Sequence, residues 1–585
     1  MDGFVGFRGA VSRWQIVGLA ALLGVWACAE DAAPLPDDVY GAVQVARSGG
    51  GVVVAAQPRA AEAGARMLRR GGNAADAAVA AAFAVSVVEP SMNSIGGRTQ
   101  ILLRLPDGTV AGIDATTQAP STYDPETAPQ ASYGYPTVGV PGAVAGLVRL
   151  LREHGTLPLE EVMAPAIDLA EEGFELLPGE AARHAAGAEQ LAEFDGSRAH
   201  FLTPSGETRA AGEVFAQPDL AATLTAISTG GADAFYRGAI AERIVADMAA
   251  HGGAVTAGAL AEYRALDAPV VRGSYRGYEL AGTDLPASGA ATIGILHILE
   301  HFDMGALDAD SWAGLVGTVV ARVFEERAAA RSAGARDLAF MTGKEWAAGI
   351  AATTEVPGAV RRAAGATPGD VGTSRATSLV VRAGGTMANW DAGEWGPADG
   401  HTTHLSAADA DGMYVALTQT IGPNLGSKVA TPGLGFLYAA TLGGYLGHME
   451  PGERARSSIS PLMVLRDGKP VLVLGAAGGA RIISAVVQAV LRVVDQGMSL
   501  PDALAAARVH PIDRGIAMET SPGIGWAADD IAEVKSWGME VQEVEREGAF
   551  GRIHGIWVDP ATGEVVGVAD PDWEGAAIAV EVTGR

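Results

Sequence analysis

One cysteine in 585 residues leaves no partner for an internal disulfide. Aromatic residues supply only 6% of the chain, so its cores must be built from small aliphatic side chains, which favours close helix packing and tight turns. Basic residues are outnumbered 41 to 68, for a formal net charge of -27. A chain this acidic repels phosphate backbones, which argues against nucleic acid as a partner. The G-x-S-x-G elbow of serine hydrolases is missing, and "GAAGGA" at 475–480 does not give the dinucleotide pattern G-x-G-x-x-G. The histidines are dispersed. His401 and His404 lie three apart in a strand-like stretch, on opposite faces, so neither a metal site nor a cofactor is expected.

Long apolar runs are scarce as well. The run Ile16–Ala27 follows Arg8 and Arg13 and precedes Cys28. It is short for a membrane span and has the length of a signal-peptide core. "VWAC" is similar to a bacterial lipobox, in which Cys28 is lipidated and becomes the mature N-terminus. Residues 1–27 are therefore read as a signal peptide and 28–48 as a lipoprotein tether rich in Ala, Asp and Pro. This predicts an exported protein, periplasmic or outer-surface, held to a membrane by lipid.

What the chain has is 48% hydrophobic residues, enough for a large core. A helix is predicted from Arg59 to Arg70, stopped by Gly71-Gly72. Asn73 caps a second helix with Asp76 at its third position. This helix is almost wholly small and apolar, so it should be buried, and Pro90 ends it near Glu89. "RTQILLRL" and "TVAGIDA" read as strands about Pro106-Asp107-Gly108. Residues 140–350 read mainly as helices, and 350–400 as a loose Gly-, Ala-, Thr- and Pro-rich segment. Strands return after Thr402, with a strong helix at "ARIISAVVQAVLRVVDQG" and a closing hairpin at "RIHGIWVDPATGEVVGVAD". Strand pairs with helices between them in both halves predict packed layers of sheet and helix.

The stretch "DGHTTHLSAADADGMYVALTQT" begins a hairpin with two threonines, just after the loose segment. A threonine hydroxyl is inert without a base. If the chain is cut before Thr402, however, the new α-amine sits on the residue that carries the hydroxyl. Its pKa near 8 suits it to take the hydroxyl proton. The motif alone is weak. Its company is specific: "RMLRRGGNAADAAVAAAFAVSVVEP", "VGVPGAVAGL", "HGTLPLEEVMAPAIDLAEEGF", "QPDLAATL", "GADAFYRG", "PVVRGSYRGYEL", "HTTHLSAADADG", "RSSISPLMV" and "GAAGGARIISAVVQ" occur in this order. From about Val52 to Ala579 the chain resembles the gamma-glutamyltranspeptidase family of N-terminal nucleophile hydrolases.

The resemblance implies an α/β fold, a four-layer αββα sandwich with a helix-rich part in the large subunit. It implies a precursor that cuts itself between His401 and Thr402, giving a large subunit over 49–401 and a small subunit over 402–585 that stay together. Thr402 would form an acyl-enzyme from a γ-glutamyl or other acyl amide and pass the acyl group to water or an amine. Thr420 matches the threonine that bonds the nucleophile region, Gly478 and Gly479 the oxyanion-binding pair, and Ser457 and Ser458 the serines that hold the substrate's α-carboxylate. Each also has a structural reading: a strand-end threonine, a tight strand-to-helix turn and a serine-rich turn.

The departures fall on substrate recognition. Thr116 stands where the family has its carboxylate-binding arginine, Gly422 where it has an asparagine, and Gly444 where it has the aspartate for the substrate amine. Arg98 interrupts a glycine run and is either a replacement carboxylate anchor or a structural arginine. The catalytic parts look intact and the specificity parts rebuilt, so glutathione-type specificity is in doubt. An acylase of the same fold on a non-glutamyl amide, and a non-catalytic surface-binding lipoprotein, are the alternatives.

Overall fold

The computed structural model describes residues 44–362 and 402–581, apart from 547 and 573. The leader, Cys28, most of the tether and His401 lie outside the described residues. Two large sheets are built from β1 (Gln44–Ser48), β2 (Gly51–Ala55), β3 (Arg98–Arg104), β4 (Val110–Ala115), β5 (Leu266–Asp267), β6 (Val270–Tyr275), β7 (Tyr278–Thr283), β8 (Thr403–Asp409), β9 (Tyr414–Thr420), β10 (Leu462–Arg466), β11 (Lys469–Leu474), β12 (Ala476–Ala477), β13 (Arg552–Val558), β14 (Val565–Ala569) and β15 (Ala576–Val580). The first sheet runs β15-β2-β8-β9-β3-β4-β5. The second runs β1-β14-β13-β11-β10-β7-β6, with β12 paired to β13.

Side-chain alternation explains the layers. Along β8, Leu405 and Ala407 join Ile101, Leu103, Val415 and Leu417 in a core against α1 (Pro58–Arg69), α2 (Ala74–Val88) and α3 (Ala143–His154). Ala408, on the other face, joins Val52, Val54, Leu102 and Ala416 against Met463, Val473, Ile556 and Ala569 of the second sheet. The far face of that sheet packs on α4 (Gly289–Leu299), α5 (Ala309–Ser332) and α6 (Arg481–Val494). The result is the expected αββα sandwich. Each sheet takes strands from both sides of Thr402, so a cut there leaves two interleaved pieces that share both inner faces.

Helix α2 is buried along its whole length, as its lack of a polar face demands. Asn73 caps it and Asp76 completes a capping box, while the same Asp76 carboxylate accepts from the Thr156 and Leu157 amides at 2.9 and 3.0 Å. Three features were not anticipated. Gln44–Ser48, read as the end of the tether, is an edge strand on β14; Val45 and Arg47 face out and only Ser48 is buried, so no apolar alternation marks it. The hairpin β6–β7, inside the helix-rich half, extends the second sheet. A small sheet of Val509–Ile512, Gly515–Glu519 and Glu540–Val544 sits apart from both.

Candidate active site

The hairpin β8–β9 sets the site. Strand β8 is paired with β9 from Thr403 onward and with β2 from Leu405 onward, so its first two residues are held by β9. Thr402 directly precedes it. Its hydroxyl donates to Thr420 Oγ1 at 3.1 Å, and that oxygen also accepts the Gly422 amide at 2.9 Å. Thr420 lies opposite Arg98 on β3. Both threonines and the arginine are buried. Thr402 has φ of 86°. A β-branched residue in that region stores about 1–3 kcal/mol of strain, here beside the expected scissile bond.

Thr403 points the other way, toward the helices, and donates to Glu89 Oε2 at the end of α2. Glu89 Oε1 lies 3.6 Å from Arg183 Nη2 and 3.9 Å from Arg552 Nη1. Burial dominates, and its pKa is raised to about 7 despite both cations and the Thr403 hydrogen bond. Burial also opposes the charge of Glu180, yet Arg183, His184 and Ser91 hold that carboxylate down to about 2. Arg183 binds Glu180 at 2.6 Å, so a connected network of charge sits beneath the β8–β9 hairpin.

Gly478 and Gly479 occupy the bend between β12 and α6, with φ of 126° and 58°. A Cβ at Gly478 would meet Gly551 Cα at 3.0 Å. Neither amide donates to another backbone or side-chain group among the described residues. Two contacts bring this bend toward Thr402. Gly475, just ahead of β12, has space only for hydrogen against the His404 ring, and Ala477 pairs with Arg552, the residue that reaches Glu89. His404 bonds Thr418 Oγ1 at 2.7 Å and Ser406 Oγ at 3.2 Å. Burial, together with His554, drives its pKa well down, so it is a neutral structural group.

Ser457 and Ser458 precede β10, at the same end of the second sheet as Gly475. The Ser457 carbonyl accepts from Ser288 Oγ at 2.6 Å and from the buried guanidinium of Arg327 at 2.9 Å. Burial, with Arg331 and Arg456 nearby, lowers the Arg327 pKa to about 9. Arg327 was missed in the sequence because "EERAAARS" reads as a solvated helix face. Thr116, just past β4, donates its hydroxyl to Asp114 Oδ1 at 2.7 Å, and Asp114 also holds Gln100 Nε2 at 2.8 Å and faces Arg454 at 3.4 Å. The Thr116 hydroxyl is thus engaged by Asp114. At Gly422 a Cβ would meet the Tyr445 ring at 3.2 Å, and at Gly444 it would lie 2.3 Å from Gln130 Oε1. Side chains of Tyr445 and Gln130 occupy the space beside these two glycines.

A threonine at the head of a central strand, between two sheets and ahead of a strand-to-helix glycine bend, defines an N-terminal nucleophile hydrolase. The gamma-glutamyltranspeptidase family model matches residues 60–580, and the chain belongs to that family. It is 31% identical to the glutathione hydrolase proenzyme of Escherichia coli (strain K12), over 95% of this chain and 97% of that protein. It is 35% identical to the acylase ACY 1 proenzyme of Pseudomonas sp. (strain V22), over 78% and 82%. The fold is similar to that of cephalosporin acylase from Bacillus halodurans, with a TM-score of 0.77, 25% identity, and 94% and 98% of the two chains covered.

Two predictions follow from this geometry. Thr420→Val removes the acceptor that orients the Thr402 hydroxyl, and turnover falls about 100-fold with the fold kept; a kcat within about twofold of wild type contradicts the role. Glu89 binds its proton more tightly folded, near pH 7, than unfolded, near 4.5. Its contribution to stability is therefore full below pH 4.5 and is lost as pH rises to 7. The wild-type melting temperature should fall across that window relative to Glu89→Gln, and parallel curves would contradict it.

Proposed function

We propose that Thr402 is both the self-processing residue and the catalytic nucleophile. The carrying observation is its position: a strained residue at the head of β8, its hydroxyl already held by Thr420. In the precursor, Thr402 Oγ1 attacks the carbonyl carbon of His401. The amide becomes an ester, and water hydrolyses it, leaving a carboxylate on His401 and a free α-amine on Thr402. In the processed protein that amine takes the Oγ1 proton as the oxygen attacks the donor carbonyl. The amides of Gly478 and Gly479 receive the oxyanion; each such donor contributes roughly 3–4 kcal/mol to transition-state stabilisation. The leaving amine takes the proton from the α-ammonium. Water or an acceptor amine then attacks the Thr402 ester and returns the hydroxyl.

The donor is a γ-glutamyl or related acyl amide, as the relatives named glutathione hydrolase and acylase support. Ser457 and Ser458 line the donor side, braced from behind by Arg327. We also infer export with a lipid on Cys28, supported by the basic, apolar and "VWAC" segments of the leader.

Purified wild-type protein should run as two chains, the smaller beginning at Thr402, and Thr402→Ala as one. Intact mass should report the diacylglyceryl group on Cys28 in the same sample. A wild-type protein that remains one chain after prolonged incubation overturns the processing, and an unmodified Cys28 at the start of the mature chain overturns the anchor.

A further inference from the structure

The bend at Gly478 and Gly479 has no side chain of its own to hold it. A peptide between two glycines turns over readily, because glycine takes positive and negative φ about equally. Its orientation matters here. The peptide is trans, so its carbonyl and amide point in opposite directions, and the side that Gly478 O takes fixes where the Gly479 amide points. Arg481 settles that choice. It stands at the first position of α6, where a side chain leans back over the N-terminal turn. Its Nε donates to Gly478 O at 3.1 Å, beside its own backbone amide, which donates to the same oxygen at 3.1 Å. Its Nη1 reaches Ala549 O at 3.4 Å, on the loop that lies against the bend. In that loop Gly551 is so close that a Cβ on it would meet Arg481 O at 2.7 Å. The turn itself needs only the backbone bond. The guanidinium adds a second, charged donor on the free lone pair of the carbonyl, and it does so while buried. A cation on the carbonyl draws electron density through the peptide and makes the opposite N–H a stronger donor.

We propose that Arg481 is a positioning residue for the oxyanion. Through Gly478 O it holds the Gly478–Gly479 peptide in the one orientation that presents the Gly479 amide to the developing charge, and it strengthens that donor. It touches no reacting atom itself. The Gly478 amide belongs to the preceding peptide and is not under its control. The proposal rests on the reading of the two glycine amides as the oxyanion donors.

The probes are butyryl- and γ-glutamyl-p-nitroanilide and the matching boronic acids, propylboronic acid and 2-amino-4-boronobutanoic acid. Thr402 Oγ1 adds to boron, no bond to boron breaks, and the hydroxyl proton passes to the α-amine. One oxygen on the tetrahedral, negatively charged boron then stands where the oxyanion does. Processed wild type, Arg481→Met and Arg481→Lys are compared, with kcat counted per folded, processed chain. Arg481→Met should lower kcat about 30-fold with KM within about twofold, and should weaken the boronic acid by the same factor, since both report the charged tetrahedral state. Arg481→Lys keeps the charge without the planar donor and should recover part of the loss. An arginine that only braces the helix would change the melting temperature and leave kcat and boronic-acid affinity at wild-type values. That result, or a rise in KM alone, overturns the proposal. Should the variants not fold or process, the crystal structure of the wild-type boronate adduct decides. Arg481 Nε on Gly478 O, with Gly479 N on the boron-bound oxygen, supports the proposal. A boron-bound oxygen held by Gly479 N after the Arg481 bond has broken overturns the positioning alone. An oxygen away from both glycine amides, or a wild type that neither forms the adduct nor turns over either anilide, overturns the oxyanion reading and the positioning with it.

Discussion

Strand β8 is paired with β9 from its first residue and with β2 from Leu405 onward, and everything at the site depends on the pairing with β9. It fixes Thr403 opposite Gln419, and the residue just ahead of the strand, Thr402, meets Thr420. A hydroxyl on a loop would have to be ordered at each turnover, whereas here the sheet has already fixed its position. The same arrangement would keep the pieces together after a cut before Thr402. The strands on either side of the cut belong to common sheets, so the two pieces remain bound through the full inner face of the sandwich.

Charge is distributed unequally around this point. Beneath the sheet, Glu89, Arg183, Glu180 and Arg552 form a connected network that braces Thr403 and the end of α2. Above it, between the sheets, the buried Arg98 Nε and Nη1 have no hydrogen-bond partner among the described residues. Structural needs explain the first arrangement, since each buried charge has an opposite neighbour. Among the described residues no such neighbour accompanies the second.

Much of this was legible in the sequence for definite reasons. Helix α2 announced itself through Asn73, Asp76 and Pro90, three local signals that tertiary packing had no cause to override. The hairpin β8–β9 was visible in its alternation and in the turn at Asp411-Gly412. The strand Gln44–Ser48 was not, because its apolar Val45 faces out on an edge strand and only Ser48 is buried. Arg327 and the Asp114–Arg454 pair were hidden because burial of a charge depends on partners far away in the chain. The exchange of asparagine and aspartate for Gly422 and Gly444 could be read as a loss. That Tyr445 and Gln130 fill the space could not.

The central claim is that the α-amine of Thr402 is the base for its own hydroxyl. The most direct measurement acetylates that amine in the processed protein, verifies the single addition on the small chain by mass, and records turnover of an acyl anilide. The account predicts that activity is lost while the two chains stay associated and folded. Full turnover by the blocked protein would contradict it.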